Sequence, residues 1–323
     1  MEKICDVDNL LWAYHNARKG KQHRTYVAEY SKNLFDNIVR LRHALLSGEV
    51  SMGQYRYFYI YDPKLRKICA ADFEERIVHH AIINVCHPYF DRNLIYDSYA
   101  SRKEKGVYAA IYRARAAMRS ASYLAKLDVK SYFDSVSHTV LKQKLRRMFK
   151  DKSLLSLFDK IIDSYQSSPG RGIPIGNLTS QYFANFYLSF LDHYIKEELK
   201  VPVYIRYMDD MLLFGNTPEQ VREYVRKVSA FVTEQLLLIL KPPVLGPTRS
   251  GVSFLGYSLY PHKILLNRRS KIRFKRKIHE YTRLYLSGQW DDNRYKQHMI
   301  PLLAFTQKAY TRRLRLALCR QYS

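Results

Sequence analysis

The sequence predicts an α+β protein, one antiparallel sheet carrying helices on one face. Three observations lead there. Short strand-like runs, 55–61 (YRYFYIY) with 65–70 (LRKICA) and the two halves of 203–214 (VYIRYMDDMLLF), come in pairs joined by turns rather than by crossover helices. Stretches with a helical period surround them. The 323 residues show no internal repeat and no low-complexity linker, and they suffice for two or three small lobes.

In chain order, Leu34, Ile38, Leu41 and Leu45 fall on one face of a helix at 34–46, with Gly48 beyond as its cap. The strands at 55–61 and 65–70 form a hairpin around Asp62-Pro63. Asp72 can cap a helix running to about Pro88, and residues 106–120 form a basic helix. YLAKLDV at 123–129 is a buried strand ending in an acid. Helices at 138–150 and 153–166 precede a Pro/Gly-rich loop, SSPGRGIPIG, at 167–176, and a long helix covers 177–199. The run at 203–214 then reads as two strands joined by a tight Asp-Asp turn. Thr217-Pro218-Glu219-Gln220 starts a helix, with threonine as cap and glutamine closing a capping box. A short strand pair lies around GVSFLGYSLY. The last sixty residues are helical and basic: eight Lys or Arg and no acid between Lys263 and Lys277.

Composition bounds the partners. An apolar content of 47% excludes a largely disordered chain. Lys and Arg number 54 against 29 Asp and Glu, a net charge of +25, which points to a polyanion. The 28 tyrosines interleaved with basic residues suit stacking on unpaired bases. Cys5, Cys69, Cys86 and Cys319 form no CxxC pair, which argues against a zinc site or a disulfide framework and fits a reducing cytoplasm. The N-terminus carries acids where a secretory signal carries bases, and no stretch is apolar enough to span a bilayer, so a cytoplasmic protein without a membrane partner is expected. His79-His80, with Cys86 nearby, reads as core or surface histidine rather than a metal site.

Two acidic positions at strand ends carry the chemistry: Asp128, and the pair Asp209-Asp210. Extending a nucleic acid requires a 3′-hydroxyl to attack an α-phosphate in line, and two Mg²⁺ ions about 3.5–4 Å apart stabilise the entering and leaving oxygens. Hard cations want carboxylate oxygens on rigid supports. Met208, Met211, Leu212 and Leu213 flank the pair, so the turn joins buried strands, where paired carboxylates without a cation are costly.

Tyr207-Met208-Asp209-Asp210 resembles the YxDD box of reverse transcriptases, and LDVKSYFDSV at 127–136 resembles their first catalytic motif. The motif order is similar over roughly residues 40–260. The resemblance implies a right-hand polymerase, with an N-terminal helical extension at 1–50, fingers at 51–121, a palm at 122–260 holding a helical fingers insertion at about 137–172, and a basic helical thumb at 261–323. It implies an RNA-directed DNA polymerase using two Mg²⁺ ions and dNTP substrates on an RNA template with a DNA or RNA primer. Asp128, Val129, Asp209 and Asp210 would be the metal positions, with Asp210 in a supporting role. Lys64 and Arg66 would clasp the incoming triphosphate, and Phe133 would block a ribose 2′-hydroxyl. Lys241 would lie near the leaving pyrophosphate. Arg102 and Lys105, beside Gly106, would touch template or nucleotide. The FLGY sequence Phe254, Leu255, Gly256 and Tyr257 would grip the primer, and Arg273 and Lys277 of the basic thumb would follow the duplex backbone.

The loop GIPIGNLTSQ at 172–181 narrows the resemblance. Where most reverse transcriptases have Gln-Gly followed by Ser-Pro, this chain has Ile175-Gly176 and Ser180-Gln181, which looks like the diversity-generating retroelement class. The absence of an RNase H or endonuclease region after the thumb, and of a Val-Thr-Gly triplet, fits that class. The class implies copying of a template-repeat RNA into cDNA with errors at template adenines, and a small basic accessory variability protein as partner. A retron-like or abortive-infection enzyme, or a catalytically inactive RNA-binding protein of the same fold, are the alternatives.

Overall fold

The computed structural model describes residues 1–61 and 65–319. Four helices come first, α1 (Glu2–Cys5), α2 (Val7–Arg18), α3 (Thr25–Lys32) and α4 (Leu34–Ser47), then β1 (Tyr55–Tyr61), β2 (Leu65–Ala71) and α5 (Phe73–Arg92). Next are α6 (Val107–Ser120), β3 (Tyr123–Asp128), α7 (Tyr132–Ser135), α8 (His138–Met148), α9 (Lys152–Asp163) and α10 (Leu178–His193), whose end widens into a π-helical turn at Tyr194–Glu198. β4 (Val203–Tyr207), β5 (Asp210–Gly215), α11 (Pro218–Leu236) and β6 (Val244–Pro247) follow. The chain closes with β7 (Val252–Phe254), β8 (Tyr257–Leu259), β9 (Ile264–Leu266), α12 (Arg268–Leu286), α13 (Asp292–Gln307) and α14 (Arg312–Cys319).

These elements form two compact units. The first comprises residues 1–96, 129–198 and 228–241, the second 97–128, 199–227 and 242–323.

In the first unit, α2 and α10 pack on α5, whose Ile77, Val78 and Ile82 are buried. Phe90, near the end of α5, sits among Phe149, Phe158, Phe183 and Phe186 with ring centroids 5.5–6.5 Å apart. That cluster explains a departure from expectation. α5 does not stop at Pro88 but runs through it to Arg92, because burial of Phe90 outweighs the hydrogen bond the proline removes. Asp72 does not cap α5 with its side chain either; its backbone N–H bonds Gln54 O at 3.2 Å. Gly48 does end α4 in the left-handed region, at φ 75°.

The second unit holds the larger sheet, in the order β4-β5-β3-β6 with every described pairing antiparallel. Among the described residues the strands form three separate sheets, not the single one expected: this one, the β1–β2 hairpin and a β7-β8-β9 meander. Two strands escape a periodicity reading. β6 is an edge strand, where Pro247 is tolerated, and β9 is only three residues long. Leu124, Ile205, Leu212 and Phe214 of the larger sheet share one core with Ile111 and Ala114 of α6, Phe254 and Tyr257 of the meander, and Phe274 and Ile278 of α12. α12 is therefore not charged all round: Ser270, Phe274, Ile278 and Thr282 form a buried stripe. Thr217 Oγ1 accepts from Gln220 N at 3.2 Å, so threonine caps the helix as expected, but Gln220 Oε1 accepts from Asn216 N at 2.8 Å, one residue before the position a capping box uses.

Candidate active site

Period two decides which side chains meet in the larger sheet. Asp128, the last residue of β3, is the register partner of Asp210, the first residue of β5. Directly opposed residues project on the same face, with Cα atoms about 4.5–5.5 Å apart. Both aspartates are half-buried, as is Asp209. The turn does not fall on the two aspartates as expected. It is made by Met208 and Asp209, and Asp210 already belongs to β5. Met208 takes φ 52°, a conformation uncommon for a side chain of its size.

Two basic residues that the motif reading passed over complete this group. Lys126 lies two residues before Asp128, hence on the same face; its Nζ is 2.9 Å from Asp210 Oδ1 and donates to Ser253 O at 3.0 Å. Arg206, in β4, is fully buried, and its Nη1 donates to the Met208 carbonyl at 3.3 Å. Its backbone accepts from Tyr99 N and donates to Asp97 O. Asp97 in turn receives Arg113 at 3.1 Å and the Tyr99 hydroxyl at 2.8 Å. A lone arginine inside the otherwise apolar run VYIRYM was the visible signal.

The donor chemistry suits Mg²⁺, with hard carboxylate oxygens on a strand pair. Among the described residues, however, no three Asp, Glu, His or Cys side chains gather into a cage that could hold an ion alone. At nucleotide sites Mg²⁺ binds through one or two carboxylates, with the remaining ligands from water and substrate phosphates.

Elsewhere in this unit, Lys105 Nζ lies 5.1 Å above the Tyr99 ring and Arg102 Nη1 donates to Ser98 O at 3.1 Å. The β7–β8 turn is formed by Leu255 (φ 49°) and Gly256 (φ 90°). Phe254 and Tyr257 on either side are wholly buried, and the Tyr257 hydroxyl donates to Phe305 O at 2.7 Å. A strand could therefore meet this turn only through Leu255 and Gly256. A Cβ on Gly256 would come 3.2 Å from the Phe305 ring, so glycine fits both the dihedral and the space. Arg273 and Lys277 are half-exposed and line one cleft with Tyr281 and His298.

The first unit assembles another set. The Ile175 carbonyl accepts from Cys69 N at 2.8 Å, which clips the 172–177 loop onto β2, the strand that carries exposed Arg66. Gly176 has φ 126°, and a Cβ there would meet Ile68 Cγ2 at 2.9 Å. Ile173 N donates to Phe133 O at 2.8 Å, so the half-buried Phe133 is tied to the same loop. Ile175 is half-exposed, while Gly176 and Gln181 are exposed. Lys241 follows Leu240, which bridges Val129, and Ile239, whose carbonyl accepts from Lys130 N at 2.8 Å. Lys64 lies outside the described residues. His79 is core, 3.4 Å from the buried Glu75 carboxylate, and Cys86 is buried.

An α+β chain with antiparallel sheets and carboxylates facing each other at the ends of adjacent central strands has the architecture of a right-hand polymerase. Solved structures share that fold. Apo telomerase from Candida tropicalis superposes with a TM-score of 0.51 at 12% identity, over 67% of this chain and 49% of that one. Telomerase from Candida albicans, in complex with a TWJ fragment of telomeric RNA, superposes with a TM-score of 0.50 at 14% identity, over 74% and 54%. Residues 62–259, more than half of the chain, match the family described as reverse transcriptase (RNA-dependent DNA polymerase), and the chain belongs to that family. Among its relatives are the putative COX1/OXI3 intron 1 protein of Saccharomyces cerevisiae, 21% identical over 61% of this chain, and protein YkfC of Escherichia coli, 28% identical over 49%. The chain spans 25% and 45% of those two proteins' lengths.

Proposed function

We propose that this chain is an RNA-directed DNA polymerase of the diversity-generating class, copying a template-repeat RNA into cDNA with errors at adenine. The observation that carries the polymerase reading is the register pair Asp128–Asp210 with Asp209 beside it on a short turn. Two Mg²⁺ ions, when bound, neutralise the charge that builds on the attacking and leaving oxygens. Asp128, Asp209 and Val129 would hold them, with Asp210 in a supporting role. Lys126 restrains the Asp210 carboxylate and offsets part of the negative charge gathered at the strand ends. The roles we assign to Arg66 and Lys241 are contacts to triphosphate and pyrophosphate, and that of Phe133 is exclusion of a ribose 2′-hydroxyl. Residues 51–121 act as fingers, 122–260 as palm and 261–323 as thumb.

Support for the diversity-generating class comes from the loop. Ile175 stands where most relatives carry glutamine, on a segment fixed to β2 by its own carbonyl. Its apolar side chain offers no hydrogen bond to a nucleotide edge. A small basic accessory variability protein is the expected partner.

Primer extension on an RNA template with Mg²⁺ and dNTPs tests the polymerase. The wild type should extend; Asp128→Ala and Asp209→Ala should lose extension by at least about a thousandfold while RNA affinity is kept or rises. Near-normal extension by Asp128→Ala would remove the carboxylate pair from the mechanism.

A further inference from the structure

The helical part of the first unit carries a cluster of cations that polymerisation as described above does not use. α5 presents Arg76 and His80 four residues apart, on one face. The end of α2 and the turn after it, residues 18–24 (RKGKQHR), bring Lys19, Lys21 and Arg24 alongside. The turn is bolted in place: Arg76 Nη2 donates to Ala17 O at 2.9 Å, Lys21 N to Arg18 O at 2.9 Å, and Arg24 N to Lys21 O at 3.0 Å.

These charges feel one another. Burial, then Arg76 and Arg24, push the Lys21 ammonium below its ordinary pKa. Burial also lowers Arg76. His80 falls to about 4, first through burial and then through Arg76, His79, Lys21 and Lys19, so it is neutral at pH 7. Among the described residues, none of Lys19, Lys21, Arg24 and Arg76 is in an ion pair. Lys21 and Arg76 are partly desolvated, and holding them together without a counter-charge costs free energy that an anion would return. Lys19 also reaches Trp12, 58% exposed, with its Nζ 5.7 Å from the ring centroid. An exposed indole joined through Lys19 to a cation cluster fits a ligand that alternates flat apolar rings with phosphates.

We propose that this cluster is a second nucleic-acid site, which holds an unpaired strand with Lys21, Arg24 and Arg76 on its phosphodiesters and Trp12 stacked on a base. The polymerase reading enters only in making nucleic acid the expected polyanion, and the binding titration is run without nucleotides or metal so that the two stand or fall separately. The full chain is titrated with a labelled single-stranded RNA and with the same RNA as a blunt duplex, over a series of salt concentrations. The Lys21→Gln/Arg24→Gln variant should bind the single strand roughly tenfold more weakly, with the slope of log affinity against log salt reduced by about 1.4, near 0.7 for each phosphate no longer neutralised. Trp12→Ala should lose about tenfold on the single strand and little on the duplex. Turnover of Lys21→Gln/Arg24→Gln at saturating primer–template should equal wild type. An unchanged salt slope, or a loss from Trp12→Ala equal on single strand and duplex, overturns the site.

Discussion

Arg206 shows how much one side chain can fix. It is wholly buried in β4, its backbone is bonded on both sides to the 97–99 segment, and its guanidinium reaches the carbonyl of Met208, the residue in the left-handed region. The turn that presents Asp209 is thus held from behind by a planar group that lysine cannot imitate. Arg206→Lys should lower kcat by about tenfold to a hundredfold with KM for dNTP changed much less, since it shifts the carboxylates without touching substrate. Steady-state kinetics beside a melting curve check it; equal losses in kcat and stability, with both restored at low temperature, would reduce Arg206 to a core residue. Ile175 belongs to the same scale. Ile175→Gln returns a polar group to the loop, and misincorporation opposite template adenine should fall by roughly tenfold to a hundredfold, with errors at other bases much less altered. Deep sequencing of cDNA from both enzymes reads this directly, and an unchanged adenine error fraction would detach the loop from mutagenesis. The candidate carboxylates were legible because acids at the ends of apolar runs break a simple pattern. Lys126 was not, because what matters about it is whom it touches across strands, which periodicity does not encode; Arg206 stood out as a lone arginine in an apolar run, but its bond to the Met208 carbonyl did not.

Among elements, α12 separates what local pattern reveals from what packing decides. Its basic character is plain in the sequence, yet the buried stripe of Phe274 and Ile278 fixes which cations face outward. Arg273, Lys275, Arg276 and Lys277 remain exposed or half-exposed on the other sides. Replacing these four with Gln should weaken binding to any primer–template and flatten the salt slope by about 0.9 for each duplex phosphate left without its cation. An unaltered slope on naked nucleic acid would point instead to docking of a protein partner. α4 was legible from its 3.6-residue period and the β1–β2 hairpin from its alternation, while α1, α2 and α3 were expected only as an undivided helical extension. β6 and β9 were not, being edge or three-residue strands whose existence depends on a neighbour. The end of α5 was misjudged because an aromatic cluster distant in sequence overrides a proline.

At the scale of the whole molecule, the chain passes between its two compact units five times, at 96/97, 128/129, 198/199, 227/228 and 241/242. One crossing follows directly on Asp128. Neither unit is a continuous stretch, so each gathers its core from segments far apart in sequence, and loop closure must precede most of its packing. Calorimetry should show one cooperative transition, and a fragment of residues 1–128 alone should show none; two separable melting steps would contradict this. The same interleaving constrains ancestry. Recombination trades domains as cassettes only where a single cut on each side frees a whole unit, and no pair of cuts does so here. The two units must be inherited together, so new specificity has to come from substitutions within loops such as 172–177 rather than from exchanging one half for another.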